Sequence, residues 1–178
     1  IAPDIVAQIR THPAVDHAIS AKPLSMVANV PIVGESPIPI YAVRDHDLPI
    51  LLETYGLRPS EGMVIQPRSD HVILTSALAR NRSLGVGDAI GHPVHEQDGI
   101  PTELTVVGLL ESVRPTLVDR GGYDVPPMPR WAGFASYEYV NGHERYTDIP
   151  THMLIVPAKG READLEVWLE ETIASPQV

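Results

Sequence analysis

Eight histidines, and 23 acidic residues set against 13 basic ones, make metal binding and acid–base catalysis the first chemistries to look for. Histidine stands beside aspartate at Asp16-His17, Asp45-His46 and Asp70-His71, and His92, His95 and Glu96 form one tighter group. His95-Glu96 lacks the second histidine of a metalloprotease helix. In a predicted strand or turn, the three-residue spacing of His92 and His95 puts their side chains on opposite faces. These histidines read as solvated surface groups, and no metal site is assigned. Gly85-Val86-Gly87 suggests a phosphate-binding turn, but a dinucleotide fingerprint needs its third glycine where this chain has Ile90, and a strand is expected to follow instead of a helix. No Gly-Lys-Ser/Thr follows a glycine-rich turn, no Gly-x-Ser-x-Gly elbow occurs, and no carboxylate pair stands out. With no cysteine present, disulfides, thiolate catalysis and cysteine-based zinc sites are excluded. The chain is read as non-enzymatic and without a cofactor.

The residues left over are aromatic. Tyr123, Trp131 and Phe134 stand in or beside a proline-rich tract, Ser112 to Trp131, with prolines at 115, 126, 127 and 129 and a Gly121-Gly122 pair. They either pack this tract down or form a partner contact, and the residues leave both open. A long connection without regular structure is usually functional. If it faces a partner, shortening Arg120 to Pro129 to a Gly/Ser linker should leave the melting temperature unchanged and abolish activity of the parent protein.

The elements that must position these residues are of mixed type. Pro3 and Asp4 open a short amphipathic helix with Ile5, Val6 and Ile9 on one stripe. Val15 to Val30 and the alternating Pro37 to Arg44 read as strands. Asp47 is the expected cap of a helix whose Leu48, Leu51, Leu52 and Tyr55 fall at i, i+3, i+4 and i+7, closed by Gly56. Leu57 to Ser69, with two prolines and a glycine, reads as a lobe boundary. Beyond it the chain predicts a strand at Val72 to Leu74, a helix at Ser76 to Asn81 capped by Thr75 or Ser76, a Gly87-Asp88 turn, and strands from Ala89 to about His95 and from Thr102 to Leu110. His152 to Val156 is the last strand, and a final helix sets Leu165, Trp168, Leu169 and Ile173 on one face. The leucine stripes read as core.

At 178 residues with 43% apolar and 20% charged residues, the chain can bury about 70% of its unfolded surface and form a real core. A formal charge of -10 repels nucleic acid and anionic headgroups. No run reaches the roughly 20 apolar residues of a membrane span, and neither an initial Met nor a signal peptide pattern is present, so an excised or processed piece is expected.

The order VILTSALA (Val72 to Ala79), LGVGDAIG (Leu84 to Gly91) and LTVVGLL (Leu104 to Leu110) resembles the extracytoplasmic core domain of MacB/FtsX-type ABC transporter permeases. The resemblance implies an α+β fold: a porter-like α/β lobe built from both chain ends, residues 1–56 and 145–178, with an inserted β-rich lobe, residues 57–144. It implies transmembrane helices on either side of the domain, with the helices at the two chain ends side by side and both termini leaving one face. It also implies location on the extracytoplasmic side of a bacterial cell membrane, and coupling of ATP-driven transmembrane motion to a substrate or partner. The implied partners are an ABC ATPase subunit, reached indirectly through the membrane, a second permease copy or paralogue, and an extracytoplasmic protein, for which Tyr123, Trp131 and Phe134 are the candidate contacts read from the residues. The alternative is a free-standing extracytoplasmic sensor that holds a small ligand in a pocket.

Overall fold

The computed structural model describes residues 3–30, 34–66, 68–91, 103–113 and 131–173. They fold as an α+β structure in which the chain divides into two compact units, residues 1–20 with 153–178, and residues 21–152.

The first unit holds helix α1 (Pro3–Thr11), the opening of strand β1 (Val15–Val30), strand β8 (His152–Pro157) beside β1, and helix α5 (Glu162–Ile173). Ile9, Ala14, Ile19 and Leu165 form its buried side chains. The stripe expected on α5 is only partly covered: Trp168 and Leu169 are half-buried, and Ile173 is 47% exposed. Trp168 stacks on His12 with ring centroids 4.1 Å apart, which joins α5 to the end of α1. The amide of Ala158 donates to the carbonyl of Ala14 at 2.8 Å and fastens the exit of β8 to the entrance of β1.

The second unit is built on a mixed sheet, with strands in the order β3 (Leu57–Gly62), β6 (Leu104–Ser112), β4 (His71–Thr75), β7 (Gly133–Ser136), β2 (Gly34–Val43) and the rest of β1. A two-residue strand, β5 (Ala89–Ile90), pairs with β6. The β4–β6 and β2–β7 pairs are parallel, and the others are antiparallel. One sheet face packs Leu24, Met26, Ile38, Ile40, Val72, Leu74, Val106 and Ala135 against helices α3 (Ser76–Asn81) and α4 (Tyr137–Gly142). Burying a leucine or isoleucine side chain contributes about 1.5–3 kcal/mol, so this layer is a large source of the unit's stability.

Helix α2 (Leu48–Tyr55) follows its sequence signals closely. Leu48, Leu51 and Leu52 are buried, and Gly56 ends the helix at φ 62°, a left-handed cap that glycine adopts without strain. Asp47 stands at the cap position without a side-chain capping bond, because it is in the helical region at φ -87°. Gly87, at φ 97°, turns the chain into β5, with the Gly85 amide held by Asp88 Oδ2 at 2.7 Å.

Two parts of the chain differ from the sequence reading. Leu57–Gly62, expected to be a lobe boundary, is strand β3. It pairs with β6 alone among the described residues, so Pro59 sits at a sheet edge, where a missing N–H is tolerated, next to a bulge between Pro59 and Glu61. The second difference is β7 followed at once by α4, where no element was expected. All four residues of β7 are buried, so they show no polar alternation that sequence could reveal. Residues 92–102 and 114–130 lie outside the described residues, and with them the continuation of β5 toward His95 and most of the proline-rich tract.

A buried lysine completes the packing. Lys22, 4% exposed on β1, donates from Nζ to the carbonyl of Tyr146 at 3.4 Å, at the end of a 3-10 turn (Glu144–Tyr146). That carbonyl also accepts from the amide of Ile149 at 3.2 Å, and the lysine bond adds a tie between this turn and the sheet.

Candidate functional site

The parallel strands β2 and β7 run in register from Ile40 against Gly133 to Val43 against Ser136, so they end side by side. Each is followed by a turn into a helix: Arg44 to Asp47 lead into α2, and α4 begins directly after Ser136. Because β4 runs antiparallel to β7, with Val72 opposite Ala135, the residues just before β4 reach the same place. Ser136 ties the three segments together, its fully buried hydroxyl accepting from the amide of Arg68 at 2.9 Å and from the amide of Tyr139 at 3.4 Å. In open sheets with parallel strands, the carboxyl ends of the strands form the crevice that binds ligands. Here that crevice is a cleft of about 710 Å³ lined by Arg44, His46, Arg68, Asn141 and the side chains of Tyr137 to Tyr139.

Its lining combines hydrogen-bond donors with the acidic side chain of Glu138. The Arg44 guanidinium lies 5.2 Å from the centroid of the Tyr137 ring, and the Tyr137 hydroxyl meets Thr151 Oγ1 at 3.1 Å. A cation held over an aromatic face gains about 0.5–1 kcal/mol at an exposed site, enough to orient the fork without neutralising it. Neither Arg44 nor Arg68 makes an ion pair among the described residues. Asp45 Oδ1 and Glu138 Oε2 are buried without a hydrogen-bond partner. Burial of Tyr139, with a smaller push from the Asp70 carboxylate, raises its phenol above the usual range, so it remains a neutral donor.

Burial first, and then the Glu138 carboxylate, push the Asp45 carboxyl above its ordinary 3.8, with His46 opposing. A carboxyl whose value is raised in the folded chain binds its proton more tightly there than in the unfolded chain. Stability therefore falls as pH rises from about 3.8 through the raised folded value. Asp45→Asn should remove that step from a stability profile measured by urea unfolding at successive pH values. An unchanged profile in the variant would show that Asp45 is not its source.

Of the aromatics singled out from sequence, Trp131 is 42% exposed just before β7, at the opposite end of that strand from the cleft. Phe134 is 2% exposed within β7, and Tyr123 lies outside the described residues. The acid–histidine neighbours do not gather into one site. His17 meets Asp16 at 3.5 Å, His71 meets Asp70 at 3.9 Å, and His46 turns to Asp47 at 3.6 Å instead of to Asp45. Among the described residues, no three histidine, aspartate or glutamate side chains are placed to share a metal ion. Sequence reasoning missed the cleft itself. Arg44 and Arg68 belong to no motif; the parallel pairing of β2 with β7 brings the first to α4, and the antiparallel pairing of β4 with β7 brings the second.

No protein-family model matches this chain, and no curated protein matches its sequence. Solved structures do match its fold. The periplasmic region of MacB from Actinobacillus actinomycetemcomitans superposes with a TM-score of 0.53 at 10% identity, over 97% of this chain and 72% of that one. The fold is that of a MacB-type extracytoplasmic domain. The extracellular domain of the noncanonic ABC-type transporter YknZ from Gram-positive bacteria matches over 98% of this chain and 84% of its own, with a TM-score of 0.53 at 8% identity. A domain of a putative permease protein from Porphyromonas gingivalis covers 93% of this chain and 74% of its own, with a TM-score of 0.50 at 12% identity. The MacB-type fold expected from VILTSALA, LGVGDAIG and LTVVGLL is thus the fold observed. No helix among the described residues is long and apolar enough to cross a membrane.

Proposed function

We propose that this chain is a non-catalytic extracytoplasmic domain of an ABC transporter permease, coupling ATP-driven motion of transmembrane helices to an extracytoplasmic substrate or partner. The observation that carries this reading is the likeness to periplasmic and extracellular transporter domains over nearly the whole chain. In this reading the ATPase subunit acts on the domain through the membrane, and a second permease copy or paralogue completes the transporter. Trp131, exposed where the chain enters β7, is the described residue best placed to touch a protein partner; Tyr123 is proposed to share that contact, with Phe134 supporting it from within the sheet.

The test is the coding sequence around the chain. About 20 apolar residues should immediately precede Ile1 and another such run should follow soon after Val178. Polar flanks on both sides would overturn the proposal. The alternative of a free-standing extracytoplasmic sensor would then take its place. In the intact transporter, Trp131→Ala should leave expression and basal ATP hydrolysis unchanged and reduce export at least severalfold.

A further inference from the structure

We propose that the cleft at the carboxyl ends of β2 and β7 binds carboxylate side chains from an extended acidic segment of an extracytoplasmic protein. Arg44 and Arg68 supply the recognition. They approach from two different turns, and their guanidinium groups are unpaired among the described residues even though acidic residues outnumber basic ones 23 to 13. Guanidinium presents a planar fork that matches a carboxylate bidentately, and Arg44 is already oriented by the face of Tyr137. Asn141 and His46 add further polar groups at the same cleft.

The form of the cleft selects a segment of a protein over a small molecule. Sites for small ligands enclose most of their surface, whereas this one is broadly open to solvent, so a free carboxylate would bury little of itself. An extended chain can lay successive acidic side chains across the opening and gain from both arginines. Glu138 lines the same cleft and opposes any anion, which sets a sign that a merely structural role would not produce: removing its charge should strengthen binding.

This inference deepens the proposed coupling function and rests on it for the nature of the occupant. The test needs only the 178-residue chain. Fluorescein-labelled hexaglutamate should bind saturably, hexaglutamine should not, and acetate or inorganic phosphate should compete only at far higher concentration. The formal charge of -10 repels polyglutamate in general, so saturable binding reports a local site. Arg44→Gln and Arg68→Gln should each weaken binding about tenfold or more, the loss of a charge-assisted contact. Arg44→Lys should lose part of that affinity, Glu138→Gln should gain affinity, and Arg80→Gln, on exposed α3, should change nothing. Because Arg68 is exposed, its variant keeps the fold, and matched melting temperatures would verify this for each protein. Absence of hexaglutamate binding would overturn the proposal, as would equal losses in the Arg80 variant. Acetate or phosphate binding as tightly as the peptide would overturn the assignment to a protein segment. None of these results bears on the flanking segments, so the permease reading would stand or fall separately.

Discussion

Replacing Phe134 with alanine should lower the unfolding free energy by about 3–5 kcal/mol, the usual cost of emptying a buried aromatic site. Phe134 is 2% exposed in β7, directly between Tyr41 on β2 and Ile73 on β4. Strand alternation points it to the sheet face opposite Gly133 and Ala135, so its removal opens a cavity bordered by two other strands. For a chain of this size each 1 kcal/mol shifts the melting temperature by about 2–4 °C, so the loss is readily seen by calorimetry or urea unfolding. Unchanged stability would show that Phe134 does not hold the sheet together. Partner binding lost at full stability would assign it a direct contact instead. Phe134→Leu, which keeps most of the volume, should recover much of the loss.

Gly133→Val should also be strongly destabilising, for the opposite reason. A Cβ built at Gly133 would lie 2.5 Å from Ile40 Cδ1, 2.7 Å from Leu74 Cδ2 and 3.3 Å from the carbonyl of Ile73. Forcing atoms into a filled core costs about 1–3 kcal/mol and occasionally more, and valine adds two methyl groups beyond that Cβ. Gly133→Ala should cost less than Gly133→Val. Its cost should shrink further in an Ile40→Val background, where the nearest contacting atom is gone. Strictly additive effects of the two changes in urea unfolding would mean that the sheet relieves the clash by moving its backbone, and that the Ile40 contact does not limit residue 133.

These two neighbours also show where sequence reasoning stops. Helices α2 and α3 are written in the chain because their signals are local: a leucine stripe with Gly56 after it, and an alanine-leucine segment following β-branched residues. β7 has no such signature. Its residues, Gly133, Phe134, Ala135 and Ser136, were selected by what stands on either side of them in the folded sheet, and a four-residue strand buried on both faces leaves no periodicity to detect. β3 was hidden for a related reason. Its proline and glycine mark a turn in most contexts, and the proline is tolerated here because the strand lies at an edge.

The candidate site divides in the same way. The absence of cysteine, of a P-loop and of a nucleophile elbow could be read directly, and so could the acidic charge that disfavours nucleic acid. The order of VILTSALA, LGVGDAIG and LTVVGLL carried the MacB-type fold, because short segments with fixed local geometry keep their order when most side chains between them differ. The cleft depended on tertiary structure alone. Arg44, Arg68 and Glu138 come from three segments far apart in the chain, and they meet because β2 and β7 pair in parallel and end in register while β4 enters against them. Parallel pairing is set by non-local contacts, whose partners no local pattern of residues specifies.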